Sequence, residues 1–282
     1  MEGQVWVILE RLLSCVDGKP RRCRYSDREI LRVILWAVLH DRPMVWACRS
    51  EHWRERWCPE SLPDPSTVSR RWRRLDLQTK AYAMHEASVR WLGPGGRYAA
   101  IDGRPLPIGG CSKDPDARCG RAARGMGKGY KMYTLIDMRH AILAYIVRPM
   151  NEAEQTVALT LVRNLPDTVT RIVGDGVYDS VKLHRAVEAT GRKLYTPLRE
   201  NRVGRRQQER RLQLLRLLKR SVGKRLLESR NDIERTYGQT STIAFGFKGL
   251  PSWARRRRRV FRWMWGKNLL HQAWLLAKKR AA

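Results

Sequence analysis

The sequence lacks any run of apolar residues near the roughly 18 to 20 that a membrane-spanning helix requires. Its first residues, MEGQVWVILERLLSC, carry acids where a secretory leader would be basic. Both absences point to a soluble protein of the cytoplasm. Cysteines stand at 15, 23, 48, 58, 111 and 119, with no CxxC pair and no histidine at zinc-ligand spacing. That excludes a structural zinc centre and predicts free thiols; Cys111 and Cys119, which flank a polar loop, would pair only in an exported protein. Histidine is sparse and scattered, at 40, 52, 85, 140, 184 and 271, and none is assigned a catalytic role. Acid is scarce: 27 Asp and Glu face 57 Lys and Arg, a net charge of +30.

The 282 residues are 43% hydrophobic, enough to bury a core in one large domain or two smaller ones. A surface so strongly self-repelling calls for a polyanionic partner. Nucleic acid comes first, because each neutralised phosphate releases condensed counterions; an anionic membrane surface comes second.

Apolar residues recur at helical spacing from 4 to 17. A second helix opens at Ser26-Asp27-Arg28-Glu29, a capping box ahead of ILRVILWAVLH, and the two helices can bury one another. In DPSTVSRRWRRL, Asp64 is placed to cap a third helix and Pro65 to take its first position. Its polar face, over 64–75, carries Ser66, Thr67, Ser69, Arg70, Arg71, Arg73 and Arg74. Such a face suits solvent or a DNA groove, and the net charge favours the groove, in a helix-turn-helix arrangement. GPGG at 93–96 breaks every periodicity and marks a boundary, leaving an all-helical DNA-binding domain over 1–92.

Beyond it the pattern changes. YAAI reads as a buried strand ending at Asp102, a polar loop follows, and YKMYTLIDM and ILAYIVRPM complete an antiparallel meander. Asn151, with Glu154 three positions on, is placed to cap a helix over EAEQTVALTLVRNL. RIV is a strand leading to Asp175, KLHRAVEAT a helix closing on Gly191, and KLYTPL a last strand. The β-α-β-α-β portion should be parallel, giving an α/β fold: a mixed sheet flanked by helices. Side chains at strand carboxyl ends line a ligand crevice in such sheets, and Asp102 and Asp175 occupy such ends. Two carboxylates brought together raise one another's pKa unless a cation lies between them, and magnesium takes oxygen ligands of this kind. Asp-Gly pairs also make turns, the alternative for Asp102-Gly103 and Asp175-Gly176. Recurrence of the pattern in so basic a chain favours the metal.

The strand ending in Asp102, the GYK hairpin from 129, the helix opening NEAEQ, the strand GDGVYDS and the stretch R-NDI-ER resemble the DDE transposases of bacterial insertion sequences, over residues 97 to 275. The resemblance implies an RNase H-like catalytic domain over 97–282, in which Asp102, Asp175 and Glu234 hold two Mg2+ ions, with Mn2+ as a substitute. It implies cleavage and strand transfer of double-stranded DNA, with the element's ends and the target as partners. A homodimer or higher oligomer in the active complex and association with the nucleoid follow from it too. In the family's last motif, Tyr-x2-Arg-x3-Glu-x6-Lys, Arg230 and Glu234 match, whereas Leu227 and Ser241 replace the tyrosine and lysine. Lys248 or Lys267 is the candidate to take over the lost lysine's grip on DNA. Tyr178 matches the family's strand-turn, or packs beneath the site. A transposase-derived DNA-binding protein without catalysis, and a nuclease of the same fold without strand transfer, are the alternatives.

Two basic stretches remain. A helical insertion at 199–226, with leucines at helical spacing, offers Arg205, Arg206, Arg210 and Arg211 to phosphates. The run Arg255 to Arg259 reads as solvated charge, Trp263 and Trp265 as core, and Trp253 as the ring exposed enough to meet an unpaired base. Glu228 and Asp232 compete with Glu234 as third acid. At about 100° per residue on one helix they lie roughly 240° and 200° from it, whereas Arg230 shares its face.

Overall fold

The computed structural model of the chain describes residues 1–16, 18–20, 22–93, 95–122, 125–197, 216–228, 230–243 and 245–281. Contacts gather them into two units, Met1–Gly93 with Thr240–Ala282, and Pro94–Gln239.

In the first unit, α1 (Glu2–Ser14), α2 (Asp27–Leu39), α3 (Met44–Ala47), α4 (Pro65–Trp72) and α5 (Leu75–Leu92) are joined by α10 (Arg257–Ala281). The capping box is present: the Ser26 hydroxyl accepts from the Glu29 N–H at 3.2 Å, and the Glu29 carboxylate accepts from the Ser26 N–H at 2.7 Å. Asp64 caps α4 by accepting from the Ser66 N–H at 2.7 Å. The core is rich in tryptophan, with Trp36 stacked on Trp53 at 4.5 Å and Trp6 edge-on to Trp36 at 4.9 Å. Each of two buried indoles has an N–H partner, Trp36 at the His52 carbonyl (3.0 Å) and Trp53 at the Ala47 carbonyl (2.8 Å).

The sequence groups residues 240–282 with the second half of the chain, but α10 packs with the first. Trp265 donates to the Ala81 carbonyl at 2.7 Å, and Gly266 lets Val38 approach to 2.8 Å from where a Cβ would stand. Trp263 and Trp265 are core, as their apolar surroundings favour. Lys267 is buried, donating to the Phe245 carbonyl at 2.8 Å and pairing with Asp41 at 2.7 Å, so it holds this fold together and cannot grip DNA. Lys248 is exposed and belongs to the same unit.

The expected basic helix over 64–75 is two elements. α4 ends at Trp72, and Arg74, bound to Asp76 at 2.7 Å, precedes α5. Arg71 does not face outward. It is buried, pairs with Asp27 and donates to the Tyr25 carbonyl at 2.7 Å, while Asp27 also takes the Lys80 ammonium at 2.6 Å. Arg71 therefore ties α4 to α2, and Lys80 brings in α5. Arg71→Gln is expected to destabilise the protein by about 3 kcal/mol in urea unfolding, since it strips a buried carboxylate of its main partner.

The second unit is built on a six-stranded sheet: β1 (Tyr98–Pro107), β2 (Arg118–Ala122), β3 (Gly125–Asp137), β4 (Ile142–Pro149), β5 (Arg171–Val173) and β6 (Lys193–Tyr195). The order is β2-β3-β1-β5-β6, with β4 also paired to β3. β1, β3 and β4 form the antiparallel meander, and β5 and β6 run parallel to β1. Helices α6 (Glu154–Val162), α7 (Val181–Glu188), α8 (Ser221–Glu228) and α9 (Asn231–Thr242) follow in this part of the chain, the division between the units falling within α9. Because side chains alternate along β3, Tyr133 meets the Glu152 carbonyl before α6 at 3.0 Å on one face. Thr134 meets the Tyr237 hydroxyl of α9 at 2.6 Å on the other.

Three expectations need correction. β1 does not stop at Asp102 but runs on to Pro107, with Pro105 opposite Lys131 and Pro107 opposite Gly129. Among the described residues, β1 has no partner strand on its β5 side beyond Ala100, so both prolines fall where the strand has become an edge. Helix α6 is preceded by Ala153 with no side-chain cap, so Asn151 does not cap it. Glu228 closes α8 while Glu234 lies in α9, and so the two do not share one helix. All six cysteines are free. Among the described residues no helix is long and apolar enough to cross a membrane.

Candidate active site

Asp102 stands in mid-strand, two residues past Ala100, where β5 stops alongside β1. Asp175 follows two residues after the end of β5, which brings both acids to one opening of the sheet. Asp102 makes no turn, whereas Asp175 opens one, its carbonyl accepting from the Tyr178 N–H at 3.1 Å. Gly103 continues the strand, and its missing side chain leaves room for the Lys131 stem, whose Cδ lies 2.8 Å from where a Cβ would be. Asp175 precedes a 3-10 turn, Gly176–Tyr178, and accepts from the Val177 N–H at 2.9 Å.

Burial is the main cause that raises the Asp102 carboxyl to about 6. The Gly103 N–H, 2.7 Å from it, opposes the rise; the charges of Asp175 and Glu154 add to it, and Arg230 offsets part. Asp102 thus shares its surroundings with two further acids and one guanidinium. Tyr237 of α9 supports this point from one side, donating to the Asp102 carbonyl at 3.3 Å. Arg104 lies 5.4 Å from its ring, and burial lowers that arginine's pKa. Tyr178 is fully buried, and its hydroxyl pKa is driven up by burial and then by Glu154 and Asp102. It packs beneath the acids.

Glu234 differs from the two aspartates. Its side chain is 67% exposed and lies 3.9 Å from Arg230, the residue just before α9. Among the described residues no three acids, histidines or cysteines gather closely enough to hold a metal. Asp102 and Asp175 are brought together; Glu234 is tied to them through Arg230, which touches its carboxylate and bears on Asp102. Arg70, Arg73, Arg74 and Lys248 belong to the first unit, and Arg205, Arg206, Arg210 and Arg211 lie outside the described residues.

Sequence singled out Glu154 only as part of a helix cap, and Lys131 not at all. The Lys131 ammonium is buried and pairs with Glu154 at 2.7 Å. Glu154 reads as a helix-start residue, and nothing in the spacing links it to a lysine in a strand 23 positions earlier. Lys131→Met is expected to destabilise the protein by about 3 kcal/mol, and the double variant Lys131→Met/Glu154→Gln to recover most of that, measured by denaturant unfolding.

The pair of acids fits a hard divalent cation: the donors are all oxygens, and the charge of Asp175 adds to the burial that raises Asp102 to about 6. Over residues 94–272 the chain matches the family described as the transposase DDE domain, and it belongs to that family. No curated protein matches it in sequence. A cryo-EM structure of the piggyBac transposase synaptic complex with hairpin DNA is similar in fold at a TM-score of 0.49 and 11% identity, over 98% of this chain and 70% of that one.

Proposed function

We propose that the protein is a DNA transposase that binds the ends of an insertion sequence and cuts and rejoins DNA by metal-dependent phosphoryl transfer. The observation that carries this reading is the half-buried Asp102 carboxyl, raised to about 6 beside Asp175 and Glu154 in a chain of charge +30. Clustered acids repel a polyanionic substrate unless a cation intervenes, and membership of the DDE family supports transposition as the reaction. Asp102, Asp175 and Glu234 would hold Mg2+, which when bound stabilises charge on the attacking and leaving oxygens of a phosphodiester. Arg230, beside Glu234, holds a phosphate oxygen of the scissile strand. Tyr237 fixes the β1 backbone at Asp102, and Tyr178 and Tyr133 keep water from the underside of the acids. Synapsis of two DNA ends calls for at least a dimer.

Asp175→Cys tests the reading. Cleavage of end-bearing DNA is expected to vanish in Mg2+ and return in part in Mn2+, which tolerates sulfur better. Full activity of this variant in Mg2+ would refute the assignment of Asp175.

A further inference from the structure

We propose that the DNA-contacting face of the first unit is assembled from both ends of the chain, by the end of α4 and the first turn of α10. Trp72, the last residue of α4, joins them. It is buried, its indole N–H donates to the Arg258 carbonyl at 3.2 Å, and its ring lies 6.3 Å from Phe261 and 5.5 Å from Trp265. The arginines flanking this junction point outward: Arg70 and Arg73 from α4, Arg258 and Arg259 from α10. None of these four forms a salt bridge among the described residues, in contrast to Arg71 and Arg74, which are committed to Asp27 and Asp76.

Asp64 is an acid that bears on Arg70. Burial, and then the charge of Arg259, lowers the pKa of Arg262, one turn further along α10, to about 10. Four outward guanidinium groups around one buried tryptophan repel each other until anions arrive, and a guanidinium fork pairs two phosphate oxygens at once. The occupant with that charge density and repeat is the backbone of duplex DNA. Arg258 and Arg259, which read as solvated charge in sequence, thereby extend the basic face that the sequence assigned to α4 alone. The inference rests on the transposase reading only in naming DNA as the polyanion.

The test uses the full chain and a duplex of about ten base pairs, one helical turn, so that a single contiguous face must engage it. Affinity is measured from about 0.05 to 0.3 M salt for the wild type, Arg70→Gln/Arg73→Gln and Arg258→Gln/Arg259→Gln. Each double variant is expected to make the logarithmic salt slope shallower by about 1.8, and the quadruple variant by about 3.6, at an unchanged melting temperature. An unchanged slope for Arg258→Gln/Arg259→Gln overturns the composite face, as does competition by polyglutamate as effective as that by DNA. Cleavage by the wild type in Mg2+ is scored separately: its absence contradicts the transposase reading, while the slopes still decide the face.

Discussion

Glu234→Gln is expected to reduce DNA strand cleavage in Mg2+ by about 10³-fold or more, a loss of about 4 kcal/mol of transition-state stabilisation. DNA binding and folding should stay near those of the wild type. The side chain is 67% exposed and its ion pair with Arg230 is loose at 3.9 Å, so its removal costs the fold little. Glu228→Gln and Asp232→Asn should each keep substantial cleavage. Glu228 closes α8, across a break from α9, and the family motif Arg-x3-Glu selects Glu234 over Asp232. Gel analysis of cleaved ends, beside a binding assay on the same variants, checks all three. Normal cleavage by Glu234→Gln would remove it from the triad.

Asp102→Asn is expected to abolish cleavage and yet stabilise the metal-free protein above pH 7, by on the order of 2 kcal/mol. The folded state holds this carboxyl at about 6, above its ordinary 3.8. The ionised form therefore weighs against folding above pH 6, and that penalty fades as pH falls through 6 toward 3.8. Without metal, acidification from pH 7 to 5 should lessen the stability gap between wild type and variant. Asparagine keeps an acceptor for the Gly103 N–H but not the charge, so Mg2+ should raise the wild-type melting temperature and leave the variant's nearly unchanged. A variant less stable than the wild type at pH 7.5 without metal would show that the carboxylate serves structure instead.

Much of this fold is legible because local chemistry sets it. The Ser26–Glu29 box, the Asp64–Pro65 start and the alternation of YKMYTLID each act within a few residues. The short strand β2 escaped because RCGRA lacks apolar alternation and is held by its hairpin with β3. The run of β1 past Asp102 was hidden by Gly103, Pro105 and Pro107, residues that usually end strands but here fall on an edge. α10 joins the first unit through the close approach at Gly266 and the Trp265 hydrogen bond to Ala81, pairings that span the chain and leave no periodic trace. At the site, Asp102 and Asp175 could be found from their strand contexts. Glu154, Lys131 and Tyr237 could not, because their roles arise from neighbours 23 to 135 positions away.

The most direct test of metal-dependent DNA transfer by this acid cluster is an in vitro reaction. The full chain is incubated in Mg2+ with DNA carrying whatever inverted repeats flank its gene, and a target plasmid. Ends cut to 3′-hydroxyls and joined to the target are expected, with both products lost in Asp102→Asn, Asp175→Cys and Glu234→Gln. Tight binding of the repeats with no cleavage in either Mg2+ or Mn2+ would contradict this and mark the protein as a DNA-binding derivative of its family.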